Sequence, residues 1–203
     1  MDRGVQQPQE RHDSNSTLLL TVPPRTLLVL CGPAGSGKST FAEKLIETHQ
    51  HLSFKPTMIV SSDSCRAIVC DDENNQQANR DAFDLFHFTL HKRMFYSRFT
   101  IADSTALQAH ARLRLLEVAQ RHNYFTSLLI FNISPATCAQ RDKGRTRMVG
   151  ESVITYHTGL LQQTITDAPT EGWHQIHVLD EEHRGVEIRI VPIVSSVGRN
   201  EQI

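Results

Sequence analysis

Gly32, Gly37, Lys38 and Ser39 stand at the spacing G-x-x-x-x-G-K-S inside Leu27-Leu28-Val29-Leu30-Cys31-Gly32-Pro33-Ala34-Gly35-Ser36-Gly37-Lys38-Ser39-Thr40. Each residue type in that pattern does a definite piece of chemistry. Glycines let the backbone curl until successive N–H groups converge on phosphate oxygens. A helix opening at this point adds the positive end of its dipole. A lysine here reaches the β- and γ-phosphates, and the serine hydroxyl is a ligand for Mg²⁺. The stretch from Gly32 to Thr40 therefore predicts a phosphate-binding loop (P-loop) for ATP with Mg²⁺. An apolar run enters the loop, and the helix-like Phe41-Ala42-Glu43-Lys44-Leu45-Ile46 leaves it.

Three further groups have the chemistry to act on a γ-phosphate. The first is Asp63 with Arg66, in Ser61-Ser62-Asp63-Ser64-Cys65-Arg66, just past a short β-branched run. In an open parallel sheet that is where ligands bind. Asp63 is read as the base that takes a proton from an acceptor hydroxyl, with Arg66 one helical turn on to orient it and keep it ionised. The plainer reading makes Ser62 or Asp63 a helix N-cap. The second group is Asp103, at the end of Phe99-Thr100-Ile101-Ala102-Asp103, read as a Mg²⁺ ligand acting through water or, more plainly, as another cap. The third is Arg141-Asp142-Lys143-Gly144-Arg145-Thr146-Arg147, with Gly144 as a hinge. Arginine forks suit phosphate oxygens, so Arg141, Arg145 and Arg147 are read as a lid over the triphosphate rather than a solvated turn. Arg145 is grouped with Lys38, Asp63 and Arg66 as catalytic, and Arg141 and Arg147 with the nucleotide-binding set. The sequence does not decide which of the three reaches the γ-phosphate.

The elements that must position these groups alternate. Apolar parallel-type strands are predicted over Thr26–Cys31, Thr57–Ser61, Phe99–Asp103, Phe125–Phe131 and Gln175–Leu179. Helices are predicted from the P-loop to about Thr48, then over Ala78–Arg98, Gln108–His122, Ala136–Arg141 and Val149–Thr166. His49-Gln50-His51 reads as a frayed helix end. His87 and His91 read as a structural or solvent-facing pair, and Arg112, Arg114 and Arg121 as solvated charges. Thr17–Val22 would extend a strand or wrap the domain edge, and Glu187–Val191 alternates like an edge strand. The expected fold class is α/β: a P-loop kinase with a central parallel sheet of about five strands, flanked by helices, under an arginine-rich lid.

Composition narrows the setting. The chain has 203 residues, enough for one domain with a modest extension. No apolar run approaches the ~20 residues of a membrane span, and the polar N-terminus is not expected to act as a signal peptide. Cys31, Cys65, Cys70 and Cys138 form no C-x-x-C pair and are read as reduced thiols in the cytoplasm. A net charge of −1 argues against coating a long duplex, but leaves room for a grip on a nucleic-acid end. Residues 1–20 are expected as a disordered tail, 21–194 as the P-loop kinase domain and 195–203 as a flexible end.

Together these residues resemble the 5′-hydroxyl polynucleotide kinases, closest to the kinase module of the bacterial polynucleotide kinase-phosphatases of RNA repair. The resemblance runs over roughly Leu27 to Leu179. It is carried by Gly32–Thr40, Ser61–Arg66, Asp71-Asp72-Glu73-Asn74 with Asp81-Ala82-Phe83-Asp84, Asp103-Ser104-Thr105, and the Arg141–Arg147 lid. It implies an adenylate-kinase-like strand order and ATP with Mg²⁺ on Lys38 and Ser39. It also implies Asp63 as general base on a 5′-OH, and Arg66 on that base and on the neighbouring substrate phosphate. The partner implied is a 5′-OH nucleic-acid end held over a short footprint; phosphatase or ligase modules would lie elsewhere. Where the family often reads D-A-T-N, this chain has Asp103-Ser104-Thr105-Ala106. Two other functions use the same residues: a kinase for a small-molecule hydroxyl, and a nucleotide-dependent regulatory ATPase.

Overall fold

The computed structural model describes residues 17–143, 149–183 and 185–191. Five strands form one parallel sheet: β2 (Thr26–Cys31), β3 (Ile59–Ser61), β4 (Thr100–Asp103), β5 (Phe125–Phe131) and β6 (Gln175–Leu179). Their order across the sheet is β3-β4-β2-β5-β6. This is the adenylate-kinase-like order, with the strand that enters the P-loop at the centre. Among the described residues six α-helices connect and flank them: α1 (Lys38–Thr48), α2 (Ser62–Cys70), α3 (Asn79–Phe95), α4 (Ala109–Arg121), α5 (Pro135–Lys143) and α6 (Glu151–Asp167).

Every residue of β2 is buried, because both faces of the sheet are covered. Leu27, Val29 and Cys31 pack with Phe86, Leu90 and Met94 of α3 and with Leu115 of α4. Leu28 and Leu30 pack on the other face with Ala42, Leu45 and Ile46 of α1. Alternate side chains thus serve two cores, which is why the strand reads as an unbroken apolar run. No helix among the described residues is long and apolar enough to cross a membrane.

Several expectations are corrected. Thr57 and Met58 are not strand: Pro56–Met58 is a 3-10 turn, and β3 starts at Ile59. The third helix ends at Phe95, because Ser97 takes a φ of 56° and turns the chain into β4. Thr17–Val22 do form a strand, β1, as the strand alternative had it, and it begins inside the span 1–20 expected as a tail. That strand pairs in parallel with β7 (Gly185–Ile190), in a two-stranded sheet separate from the central one. His49 is not frayed. It is buried, its Nδ1 donates to the Leu45 carbonyl at 2.9 Å, and its Nε2 accepts from the Ile188 N–H at 2.9 Å, so it clamps β7 onto the end of α1. Arg112 is not solvated either: it is 1% exposed and paired with Glu171. Arg114 and Arg121 do lie at the surface, beside Asp84 and Glu117. His87 is half-buried, with its imidazole pushed down to about 4, chiefly by burial and then by Arg114, while His91 meets His122.

Candidate active site

The P-loop leaves the carboxyl end of β2 and closes on itself. Lys38 Nζ donates to the carbonyls of Gly32 at 2.9 Å and Pro33 at 2.7 Å, and to Ser36 Oγ at 3.3 Å. Gly37, at a φ of 94°, opens α1. Gly35 has a φ of 80°, and a Cβ there would lie 2.4 Å from the carbonyl oxygen of Cys138. Only glycine lets α5 pack this closely on the loop.

Asp103 ends β4 beside Leu30 of β2, so the sheet itself carries its carboxylate to the loop. It is buried, and its side chain shares a hydrogen bond with that of Ser39. Burial raises its pKa above the ordinary carboxylate range. The Ser39 hydrogen bond and the Lys38 charge oppose that rise, and the nearby Asp63 charge adds to it. Lys38, Ser39, Asp63 and Asp103 thus share one electrostatic neighbourhood. Among the described residues no group of three or more His, Cys, Asp or Glu is arranged to hold a metal. A hydroxyl beside one carboxylate nevertheless suits Mg²⁺, which keeps waters and binds substrate phosphates rather than sitting in an all-protein cage.

Asp63 lies in the first turn of α2, and Ser61 caps that helix, its Oγ accepting from the Ser64 N–H at 3.4 Å. Neither Ser62 nor Asp63 is the cap. The Asp63 side chain is 54% exposed and meets Arg66 NH1 at 2.6 Å. Arg66 itself is buried. Its NH1 also donates to the Glu73 carbonyl at 2.8 Å, and its Nε and NH2 donate to Asn79 Oδ1 at 3.0 and 2.7 Å. The guanidinium is spent on protein acceptors, which favours orienting Asp63 over gripping a substrate phosphate. Asn79 was not singled out in the sequence, and no local pattern marks it.

Of the lid arginines, Arg141 stands on α5 with NH1 3.3 Å from the Ser36 carbonyl. Arg145 and Arg147 lie outside the described residues. Two residues not anticipated as site residues join α5 to α6 and α6 to the loop. The buried Asp142 carboxylate accepts the N–H of Val149 at 2.9 Å and of Gly150 at 3.1 Å, where α6 begins. His157 of α6 accepts the Ala34 N–H on Nδ1 at 3.3 Å, and burial, then the Lys38 charge, lower its pKa. The sequence signal for His157 was its place on the inward side of that helix. A cavity of about 770 Å³ opens beside the loop, between Gly37, Phe41 and Arg141 on one side and Glu181 and Glu187 on the other. That volume suits a small-molecule ligand such as a nucleoside.

The family described as AAA domain matches residues 27–176. No curated protein sequence matches the chain. Among solved structures, a chain of the Pnkp1/Rnl/Hen1 RNA repair complex superposes with a TM-score of 0.60 at 20% identity, over 72% of this chain and 46% of its own length. This chain thus spans less than half of that one. A gluconokinase from Sinorhizobium meliloti 1021 superposes with a TM-score of 0.50 at 17% identity, over 78% of this chain and 83% of that one. A kinase, described as putative, from Chloroflexus aurantiacus J-10-fl gives 0.54 at 12% identity, over 77% and 88%. At these identities the likeness is one of fold, and the fold is that of the P-loop kinases.

Proposed function

The chain belongs to the AAA-domain family, and from that premise we propose that it is an ATP-dependent polynucleotide 5′-hydroxyl kinase. It would act on RNA or DNA ends in nucleic-acid end repair in the cytoplasm. One observation carries the choice of acceptor. Two stretches that carry the resemblance, Ser61–Arg66 and Asp71–Asn74, and that are far less widely shared than a P-loop, meet at one guanidinium: Arg66 holds the Asp63 carboxylate and the Glu73 carbonyl together. The RNA-repair assembly among the structural neighbours agrees with this choice. The free thiols of Cys31, Cys65 and Cys70 suit a reducing compartment.

In the proposed reaction Asp63 accepts the proton of the 5′-hydroxyl as its oxygen attacks the γ-phosphorus. The bond to the β,γ-bridging oxygen breaks and ADP leaves. Arg66 keeps Asp63 aimed. Lys38 exchanges its loop carbonyls for phosphate oxygens, and the loop N–H groups stabilise the charge that spreads over the transferring group. Ser39 and Asp103 would hold Mg²⁺, which neutralises phosphate charge when bound. Arg141 borders the site, and Arg145 or Arg147 completes the lid in this reading.

The gluconokinase likeness favours a second reading, transfer to a small-molecule hydroxyl. Both are tested by offering ATP and Mg²⁺ with a short 5′-OH strand, the same strand 5′-phosphorylated, and a panel of sugars and small alcohols. Transfer confined to the 5′-OH strand supports the proposal. Transfer to a small alcohol alone sinks it, and ATP hydrolysis indifferent to every acceptor would favour a regulatory ATPase.

A further inference from the structure

The guanidinium of Arg112 is almost wholly enclosed, at 1% exposure. NH1 donates to the carbonyls of Ala106 at 3.1 Å and Leu107 at 2.8 Å, and to Thr164 Oγ1 at 2.9 Å. Nε donates to Glu171 Oε2 at 2.9 Å, and Trp173 Nε1 holds the same oxygen at 2.9 Å. Burial alone would raise the Glu171 carboxyl, yet the hydrogen bonds from Arg112 and Trp173 outweigh it and keep the acid below its ordinary value. Glu171 thus stands as the counter-ion of the buried guanidinium.

Stability does not explain such a pair, because well-packed apolar residues commonly serve a core as well or better. What Arg112 does that an apolar side chain cannot is donate to two carbonyls of the turn after β4. That turn is strained, with Ala106 at a φ of 46°. At its start stands Asp103. In its middle the Thr105 carbonyl accepts the N–H of Gly32, first residue of the P-loop, at 3.0 Å. The Ala106 carbonyl also takes the Cys31 thiol at 3.2 Å. Thr164, on the helix that carries His157, meets the Leu107 carbonyl at 2.9 Å. The carbonyls of this one turn are thus gathered by groups from β2, α4 and α6.

We propose that Arg112, with Glu171 as its counter-ion, is a positioning residue for phosphoryl transfer. It locks the 104–107 turn so that Asp103 and Gly32 keep a fixed register at the metal and phosphate end of the site. It touches neither nucleotide nor acceptor. The inference rests on the Mg²⁺-nucleotide half of the functional reading and is indifferent to which hydroxyl accepts.

The test titrates Mg²⁺ into the full-length protein with ATP and reads nucleotide affinity, beside the same affinity in EDTA and a thermal melt. Removing a residue that orients a metal ligand costs about 10- to 100-fold in metal affinity, so Arg112→Met should raise half-saturating Mg²⁺ by at least about ten-fold. Its affinity in EDTA should change by less than about three-fold, because the turn acts on the metal carboxylate first. Arg112→Lys, which can still donate to a carbonyl, should restore part of the loss. Glu171→Gln leaves the bonds from Arg112 to the turn in place; it should lower the melting temperature with little change in Mg²⁺ dependence. A folded Arg112→Met with wild-type Mg²⁺ dependence overturns the proposal, and so does a Glu171→Gln shift as large as that of Arg112→Met. If Arg112→Met does not fold, Arg112→Lys carries the same test, and no Mg²⁺ shift in it overturns the proposal. Failure of the acceptor reading shows up separately, as a wild-type protein that binds Mg·ATP but does not phosphorylate 5′-OH strands.

Discussion

Asp63→Asn should separate chemistry from stability. The side chain is 54% exposed, and its ion pair with Arg66 spans 2.6 Å. The carboxylate end of the pair is open to solvent and Arg66 keeps its bonds to Glu73 and Asn79, so the pair is worth ~0–1 kcal/mol, and an acid in the first turn of a helix adds ~0.3–1 kcal/mol. The variant should therefore lose about 1 kcal/mol of stability, or ~2–4 °C in melting temperature for a chain of this size. Removing the proton acceptor should cost ~10²–10⁴ in rate, about 3–5.5 kcal/mol of barrier. The chemical effect is thus several times the structural one. Transfer of labelled γ-phosphate to a 5′-OH strand at saturating ATP measures the first, and a thermal melt with ATP titration measures the second. Transfer within about three-fold of wild type would refute the general-base role. Loss of ATP binding with a melting drop well beyond ~4 °C would make Asp63 a structural residue. Arg66→Met is the contrasting case: Arg66 is buried and serves Asp63, Glu73 and Asn79, so both activity and stability should fall, the latter by ~1–3 kcal/mol for the lost hydrogen bonds.

Three further outcomes follow from the geometry. Gly35→Ala must push α5 off the loop, since its Cβ would sit 2.4 Å from the Cys138 carbonyl oxygen; calorimetry should find ATP affinity down at least ~ten-fold, and wild-type affinity would contradict that packing. His49→Ala leaves the buried Ile188 N–H without its acceptor and should cost ~1–3 kcal/mol in a denaturant melt; an unchanged midpoint would mean that His49 does not hold β7. Glu171 has a folded pKa below its ordinary 4.5, so its ionised form gains from folding. That gain is complete above about pH 4.5 and is lost as pH falls through the depressed value. The melting-temperature advantage of wild type over Glu171→Gln should hold steady near neutrality and shrink below about pH 4.5, and a gap unchanged into stronger acid would refute the linkage.

The legible parts of this chain are those whose causes are local. Phe125–Phe131 and Gln175–Leu179 are strands at the residues their apolar runs mark, and the P-loop is a spacing that needs only its own strand and helix. The residues misread or passed over share another property. Arg112, Asp142, His157 and His49 each meet backbone groups that no regular element satisfies: the Ala106 and Leu107 carbonyls, the Val149 and Gly150 N–H groups at a helix start, the Ala34 N–H of a loop, and the Ile188 N–H of β7. Buried backbone groups must be paired, and irregular turns at strand ends leave many unpaired. A fold that builds its site from such turns has to send polar side chains inward from other elements. Their trace in a sequence is a polar residue on a face that should be apolar. Arg112 stands at that position, in register with the buried Leu115, Leu116 and Ala119 of its helix. A solvated arginine there would leave a hole in the core. The break in the pattern was therefore itself the evidence of a buried acceptor, and what it could not name was the counter-ion, Glu171, which lies 59 residues away.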